Sequence, residues 1–146
     1  MLTAETQLSL EADEAAVVAS LDAHGGLLVR DEADAGTYWV VLRSRLDATR
    51  PYYVRVSWQT YPGAAPSVRF ADGVRGSHTV SSAWPNIPGY RLGAFDICKP
   101  FTAEGYIVHP EWATGPNVWR STGNPFLWVV ELLQYDLHNH YQGRNP

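Results

Sequence analysis

The single thiol of the chain, Cys98, stands in Phe95-Asp96-Ile97-Cys98-Lys99-Pro100, between two proline-rich segments. A cysteine attacks as its thiolate, so a reactive one needs positive charge or a helix amino end close by. Lys99 is the nearest cation in sequence, and Asp96 works in the opposite direction. In extended backbone Ile97 and Lys99 point away from the Cys98 side and Asp96 points alongside it, which makes Asp96 a candidate to assist an amine approaching the sulfur. Upstream, Asn86 in Trp84-Pro85-Asn86 supplies an amide that can steady a loop or stabilise charge on a carbonyl oxygen. Each residue also has a plainer reading: a buried inert thiol, an aspartate that caps a turn, and an asparagine bonded to its own loop.

Histidines add a second arrangement. His109-Pro110 sits in a loop after Cys98, and His138 and His140 are two apart, which on a helix turns them in different directions and makes a poor metal pair. A Cys-His protease would use Cys98 with His109 or His138 and Asp136. No local cysteine-protease signature surrounds Cys98.

These residues need a scaffold, and 146 residues suffice for one domain, 1–146, with a core that requires no disulfide or metal staple. Hydrophobic residues at 45% against 18% charged exclude wholesale disorder, and a net charge of −4 gives no general pull toward nucleic acid or an anionic membrane. One cysteine makes neither an intramolecular disulfide nor a zinc cluster, and no organic cofactor is implied. The opening Met-Leu-Thr-Ala-Glu is not a secretory signal and no apolar run is long enough to span a bilayer, so a cytoplasmic protein with a reduced thiol is expected.

The expected fold class is α+β. Leu10, Val17, Val18 and Leu21 fall at helical spacing within Ser9 to Ala23, followed by the stop His24-Gly25-Gly26. Four short strands follow: Leu27 to Arg30, Tyr38 to Arg43, Tyr52 to Trp58 with Tyr52, Val54, Val56 and Trp58 on one face, and Ser67 to Phe70 with Val68 and Phe70 inward. Helix then consecutive strands predicts a four-stranded antiparallel meander with the helix on one face. Ala71 to Gly123, dense in Pro and Gly, reads as one long active-site loop whose aromatics pack it down. Asn124-Pro125 opens a long C-terminal helix reaching about Tyr141, with Phe126, Val130, Leu133, Leu137 and Tyr141 on its apolar stripe.

In this order the pieces resemble the ubiquitin-conjugating enzyme family, in a shorter and divergent bacterial form. The resemblance rests on the helix and meander, on Tyr61-Pro62 to Pro66-Ser67-Val68-Arg69-Phe70, on Trp84-Pro85-Asn86 against the family's His-Pro-Asn, and on Ile97-Cys98 followed by Trp and a long helix. It departs from the family in Trp84 for histidine, in the longer step from Asn86 to Cys98 and in the Phe101 to Asn117 segment before Trp119. The resemblance implies a conjugating transferase: Cys98 takes a ubiquitin-like modifier as a thioester from an activating enzyme and passes it to a lysine of an acceptor protein, with Asn86 stabilising the oxyanion. It also implies that the first helix, with Glu11, Asp13 and Glu14 exposed, docks the activating enzyme. A conjugating-fold module that only binds a partner is the third reading.

Overall fold

The computed structural model describes residues 2–146; Met1 of the opening stretch lies outside the described residues. Helix α1 (Ala4–Asp22) leads into a sheet of β1 (Leu27–Arg30), β2 (Thr37–Ser44), β3 (Asp47–Ser57) and β4 (Ser67–Ala71), ordered β1-β2-β3-β4 with every pair antiparallel. A second, two-stranded ribbon of β5 (Tyr90–Arg91) and β6 (Asp96–Ile97) follows, then the short α2 (Ala103–Val108) and the long α3 (Pro125–Asn139). The fold is α+β, an amino-terminal helix, a four-stranded antiparallel sheet and a carboxy-terminal helix. No helix is long and apolar enough to cross a membrane among the described residues.

The register shows why the sheet closes on one face. Tyr38 pairs with Val56, Val40 with Val54, Leu42 with Tyr52, and then Val54 with Phe70 and Val56 with Val68. All of these side chains are buried in one core with Leu10, Val17 and Leu21 of α1 and Phe126, Val130, Leu133 and Leu137 of α3. A slip of one residue would turn the whole set to the opposite face, so the hydrophobic alternation specifies the pairing. Tyr61 fastens the two helices to this core: its hydroxyl donates to Asp13 of α1 and accepts from the Phe126 N–H at the start of α3, while its ring stands edge-on to Trp58 at 4.7 Å.

Several boundaries differ from expectation. Helix α1 starts near Thr3 instead of Ser9, because the Thr3 hydroxyl caps it by accepting from the Thr6 N–H. Two of the three acids expected to face solvent are engaged instead: Glu14 takes the Tyr38 hydroxyl at 2.5 Å and the Arg30 guanidinium at 2.6 Å, and Asp13 takes the Tyr61 hydroxyl, while Glu11 stays partly exposed. Buried phenols need acceptors, and these carboxylates supply them. Burial, reinforced by the Glu14 carboxylate, pushes the Tyr38 phenol far above its ordinary range. Strand β3 begins at Asp47, five residues ahead of Tyr52, since the hairpin continues the ladder through a polar stretch; Trp58 lies just beyond its end, still buried. The Ala71 to Gly123 segment contains the ribbon, α2 and two 3-10 turns, Ser81–Ala83 and Pro110–Ala113. The last helix stops at Asn139, and Tyr141 folds past its end to pair hydroxyls with Tyr52 at 2.7 Å.

The β2–β3 hairpin is tied to α3 through two contacts. The buried Ser44 hydroxyl donates to the Leu137 carbonyl at 2.7 Å, and the Arg45 N–H donates to His138 Nδ1 at 3.3 Å, with the His138 ring stacked on His24. Burial first, then the charges of His24 and Arg45, hold the His138 pKa below the ordinary histidine value of 6.5. A depressed folded pKa means that neutral His138 stabilises the fold above that value, and that this contribution is lost as pH falls from there through the folded pKa. Thermal melts across pH 7.5 to 5 should therefore show a steeper loss in the wild type than in His138→Gln. Parallel curves would remove His138 as the cause.

Candidate functional site

Cys98 is partly exposed and follows directly on β6. Its position comes from the ribbon: Tyr90 pairs with Ile97, Arg91 with Asp96, and the Cys98 N–H donates to the Gly89 carbonyl at 2.8 Å, extending the ladder by one step. Ile97 and Tyr90 turn inward to the core, and the Tyr90 hydroxyl donates to Asp136 of α3 at 2.7 Å. Burial and that carboxylate push the Tyr90 phenol well above its ordinary value. The turn between the strands is pinned to β4 by Arg69, which donates to the Phe95 carbonyl at 2.6 Å.

Alternation along the ribbon then puts Arg91, Asp96 and Cys98 on its other face, with Gly89 opposite the thiol. Gly89 has φ +90°, and a Cβ there would stand 2.8 Å from Lys99 Cε, so a side chain at this position would displace the Lys99 side chain. Asp96 is buried and gives both oxygens to Arg91, at 2.8 Å from Nε and 2.6 Å from a terminal nitrogen. Its carboxylate is held in an ion pair with Arg91. The hydrogen bond to Asp96 is the main reason that the Arg91 pKa rises. Arg91 is the cation that sequence proximity missed. An Arg and an Asp flanking a glycine-containing turn five residues apart are the signal that could have found it.

The chain beyond the thiol is equally fixed. Thr102 caps α2 by accepting from the Gly105 N–H and donates its hydroxyl to the Ile97 carbonyl at 2.6 Å. Gly105 has no room for a Cβ, which would fall 2.2 Å from the Lys99 carbonyl oxygen. Buried Glu104 reaches the β4 edge, accepting from the Ser67 hydroxyl at 2.6 Å and the Val68 N–H at 3.0 Å, with Arg69 3.8 Å away. Glu104→Ala strands both donors, and we expect it to cost roughly 2–3 kcal/mol in urea unfolding, against about 1 kcal/mol for Glu104→Gln. Equal losses for the two variants would show that volume, not hydrogen bonding, decides.

Asn86 occupies a different support. Its N–H donates to the Gly143 carbonyl at 2.7 Å and its carbonyl accepts from the Gln142 N–H at 2.9 Å, while Asn145 bonds to the Trp84 carbonyl. Trp84 is fully buried and its indole donates to the His78 carbonyl at 2.9 Å, so the indole anchors this loop. The Asn86 side chain is exposed and makes no hydrogen bond among the described residues.

The Cys-His arrangement is not assembled. His109 bonds to Glu111 at 2.9 Å and stacks on Trp112, His138 is engaged with Arg45 and His24, and Asp136 accepts from Tyr90 and pairs with His140 at 3.0 Å. Among the described residues no histidine hydrogen-bonds Cys98. No known protein family, no curated protein and no solved structure matches the chain.

Proposed function

We propose that this chain is a ubiquitin-like-protein conjugating enzyme whose acyl carrier is Cys98. The observation that supports it best is a single, partly exposed thiol at the end of a pinned ribbon, on the face that carries Arg91 and with no histidine hydrogen-bonded to it among the described residues. A carrier of this class needs an open sulfur, because its acyl group is the tail of a whole protein and a lysine amine must come from outside. The order of helix, meander, thiol and long helix agrees with the conjugating-enzyme fold.

In this reading the Cys98 thiolate attacks the carbonyl of the thioester on the activating enzyme; a new C–S bond forms, the old one breaks, and the departing thiolate takes up a proton. The free amine of an acceptor lysine later attacks the same carbonyl, and the Asn86 amide steadies the oxyanion; the C–N bond forms, the C–S bond to Cys98 breaks, and the proton lost by the amine is taken up by the departing thiolate. Arg91, held by Asp96, supplies positive charge on the thiol face. The partners are thus a ubiquitin-like modifier, its activating enzyme and a lysine-bearing acceptor protein. Incubation with the cognate activating enzyme, modifier and ATP should give an adduct of the modifier that a reducing agent removes. Absence of any such adduct, with an activating enzyme shown to load its own thiol, leaves a binding-only module as the reading.

A further inference from the structure

A crevice of about 300 Å³ opens between the end of α1, the β2–β3 turn and the carboxy-terminal half of α3, with Ser20, His24, Arg45, Glu131, Gln134 and His138 in its lining. Gln134 is only 5% exposed; its amide donates to the Ser20 hydroxyl at 3.1 Å, and its Oε1 is buried without a hydrogen-bond partner among the described residues. His138 Nδ1 accepts the Arg45 N–H at 3.3 Å and burial keeps the ring neutral near pH 7, so its proton sits on Nε2. That N–H is likewise buried and unpartnered. A buried acceptor and a buried donor thus stand one turn apart on α3, where residues four apart share a face. Glu131, three residues before Gln134, adds a carboxylate at one end, and Arg45, tied by its backbone to His138, adds a guanidinium at the other. Both are exposed, and neither forms an ion pair among the described residues.

We propose that this crevice binds a free α-amino acid, its ammonium group donating to Gln134 Oε1 beside Glu131 and its carboxylate accepting from His138 Nε2–H beside Arg45. An α-amino acid carries a donor and an acceptor of opposite charge on one carbon. Four helical residues rise about 6 Å, a gap that such a molecule spans with one hydrogen bond at each end. A lone carboxylate or a lone amine would leave one of the two buried atoms unpaired, which is the costly outcome for a buried polar group. A neutral carboxamide would pair both but draw nothing from Glu131 and Arg45, whose charges make the hydrogen bonds stronger. His24, stacked on the His138 ring at 5.3 Å and bonded to the Ser20 carbonyl at 3.0 Å, forms the α1 wall. Neither the thiol nor its ribbon lines this crevice, so the inference does not depend on the carrier role of Cys98.

The test titrates the isotope-labelled full chain with L-alanine, N-acetyl-L-alanine, L-alaninamide and propionamide, following the side-chain amide of Gln134 and the Nε2–H of His138 by NMR. L-Alanine should move both signals saturably and bind about tenfold or more tightly than each of the other three, the discrimination expected of one charge-assisted contact. Arg45→Gln and Glu131→Gln, at exposed positions where folding is not at stake, should each weaken alanine binding by about tenfold. Gln134→Leu should remove it; if that variant does not fold, the two exposed variants decide. No saturable shift up to the solubility of alanine overturns the proposal, since the buried pair is then served by solvent alone. Equal binding of alanine and propionamide, or alanine binding that neither exposed variant weakens, overturns it as well.

Discussion

Cys98→Ser is expected to abolish the reductant-sensitive adduct, with the rate of acyl acceptance falling on the order of a thousandfold or more. At neutral pH an ordinary thiol is already a few per cent thiolate, whereas a hydroxyl is essentially all protonated and needs a base to take its proton. Among the described residues no histidine hydrogen-bonds residue 98, so the serine has no base in contact. Any product formed is an oxygen ester, which survives reducing agent. Because Cys98 is only partly buried and its sulfur makes no hydrogen bond, the serine variant should melt close to the wild type, and loss of adduct then reports on chemistry. A serine variant that still forms a reducible adduct would move the acyl site away from residue 98. A wild type that forms none points to the binding module.

Asn86→Ala should separate the two half-reactions. Loading of the thiol is expected to stay near the wild-type rate, while discharge to lysine slows by roughly 100-fold or more, the usual effect of removing one oxyanion donor. The structural cost should be small: the Asn86 side chain is exposed and unbonded, and the hydrogen bonds to Gln142 and Gly143 run through backbone that alanine retains. A melting temperature that holds while discharge falls is the signature of a chemical role. Unchanged discharge in a folded variant makes Asn86 a loop residue whose work is the backbone bridge to the carboxy-terminal strap.

Where one face of β3 or α3 meets the core, its period was legible in the amino-acid sequence, whereas Val18 of α1, expected on the apolar side, is exposed. Tyr52, Val54 and Val56 alternate because a strand turns successive side chains to opposite faces, and Phe126, Val130, Leu133 and Leu137 recur because a helix returns to the same face. The Asn124-Pro125 start of α3 was equally plain, and the Asn124 side chain does accept from the Leu127 N–H at 2.9 Å. An order of helix, four strands and helix follows from such local rules. The polar start of β3 does not, since Asp47 to Pro51 become strand only by pairing across the hairpin.

Only the tertiary structure decided what surrounds the thiol. Strands β5 and β6 are two residues each, too short for any period, and they exist because Tyr90 and Ile97 find the core while Arg69 holds their turn. That ribbon brings Arg91 to the Cys98 face and pairs it with both oxygens of Asp96, a partnership that alternation alone did not show. It likewise took folding to turn Glu14 and Asp13 from expected surface charges into acceptors for the hydroxyls of Tyr38 and Tyr61, and to thread residues 142–145 along Trp84 to Asn86. The physical reason is common to all of these. Periodicity reports the backbone geometry of neighbouring residues, whereas a buried hydroxyl or carboxylate takes whichever partner the packed chain brings within about 3 Å, however distant in sequence.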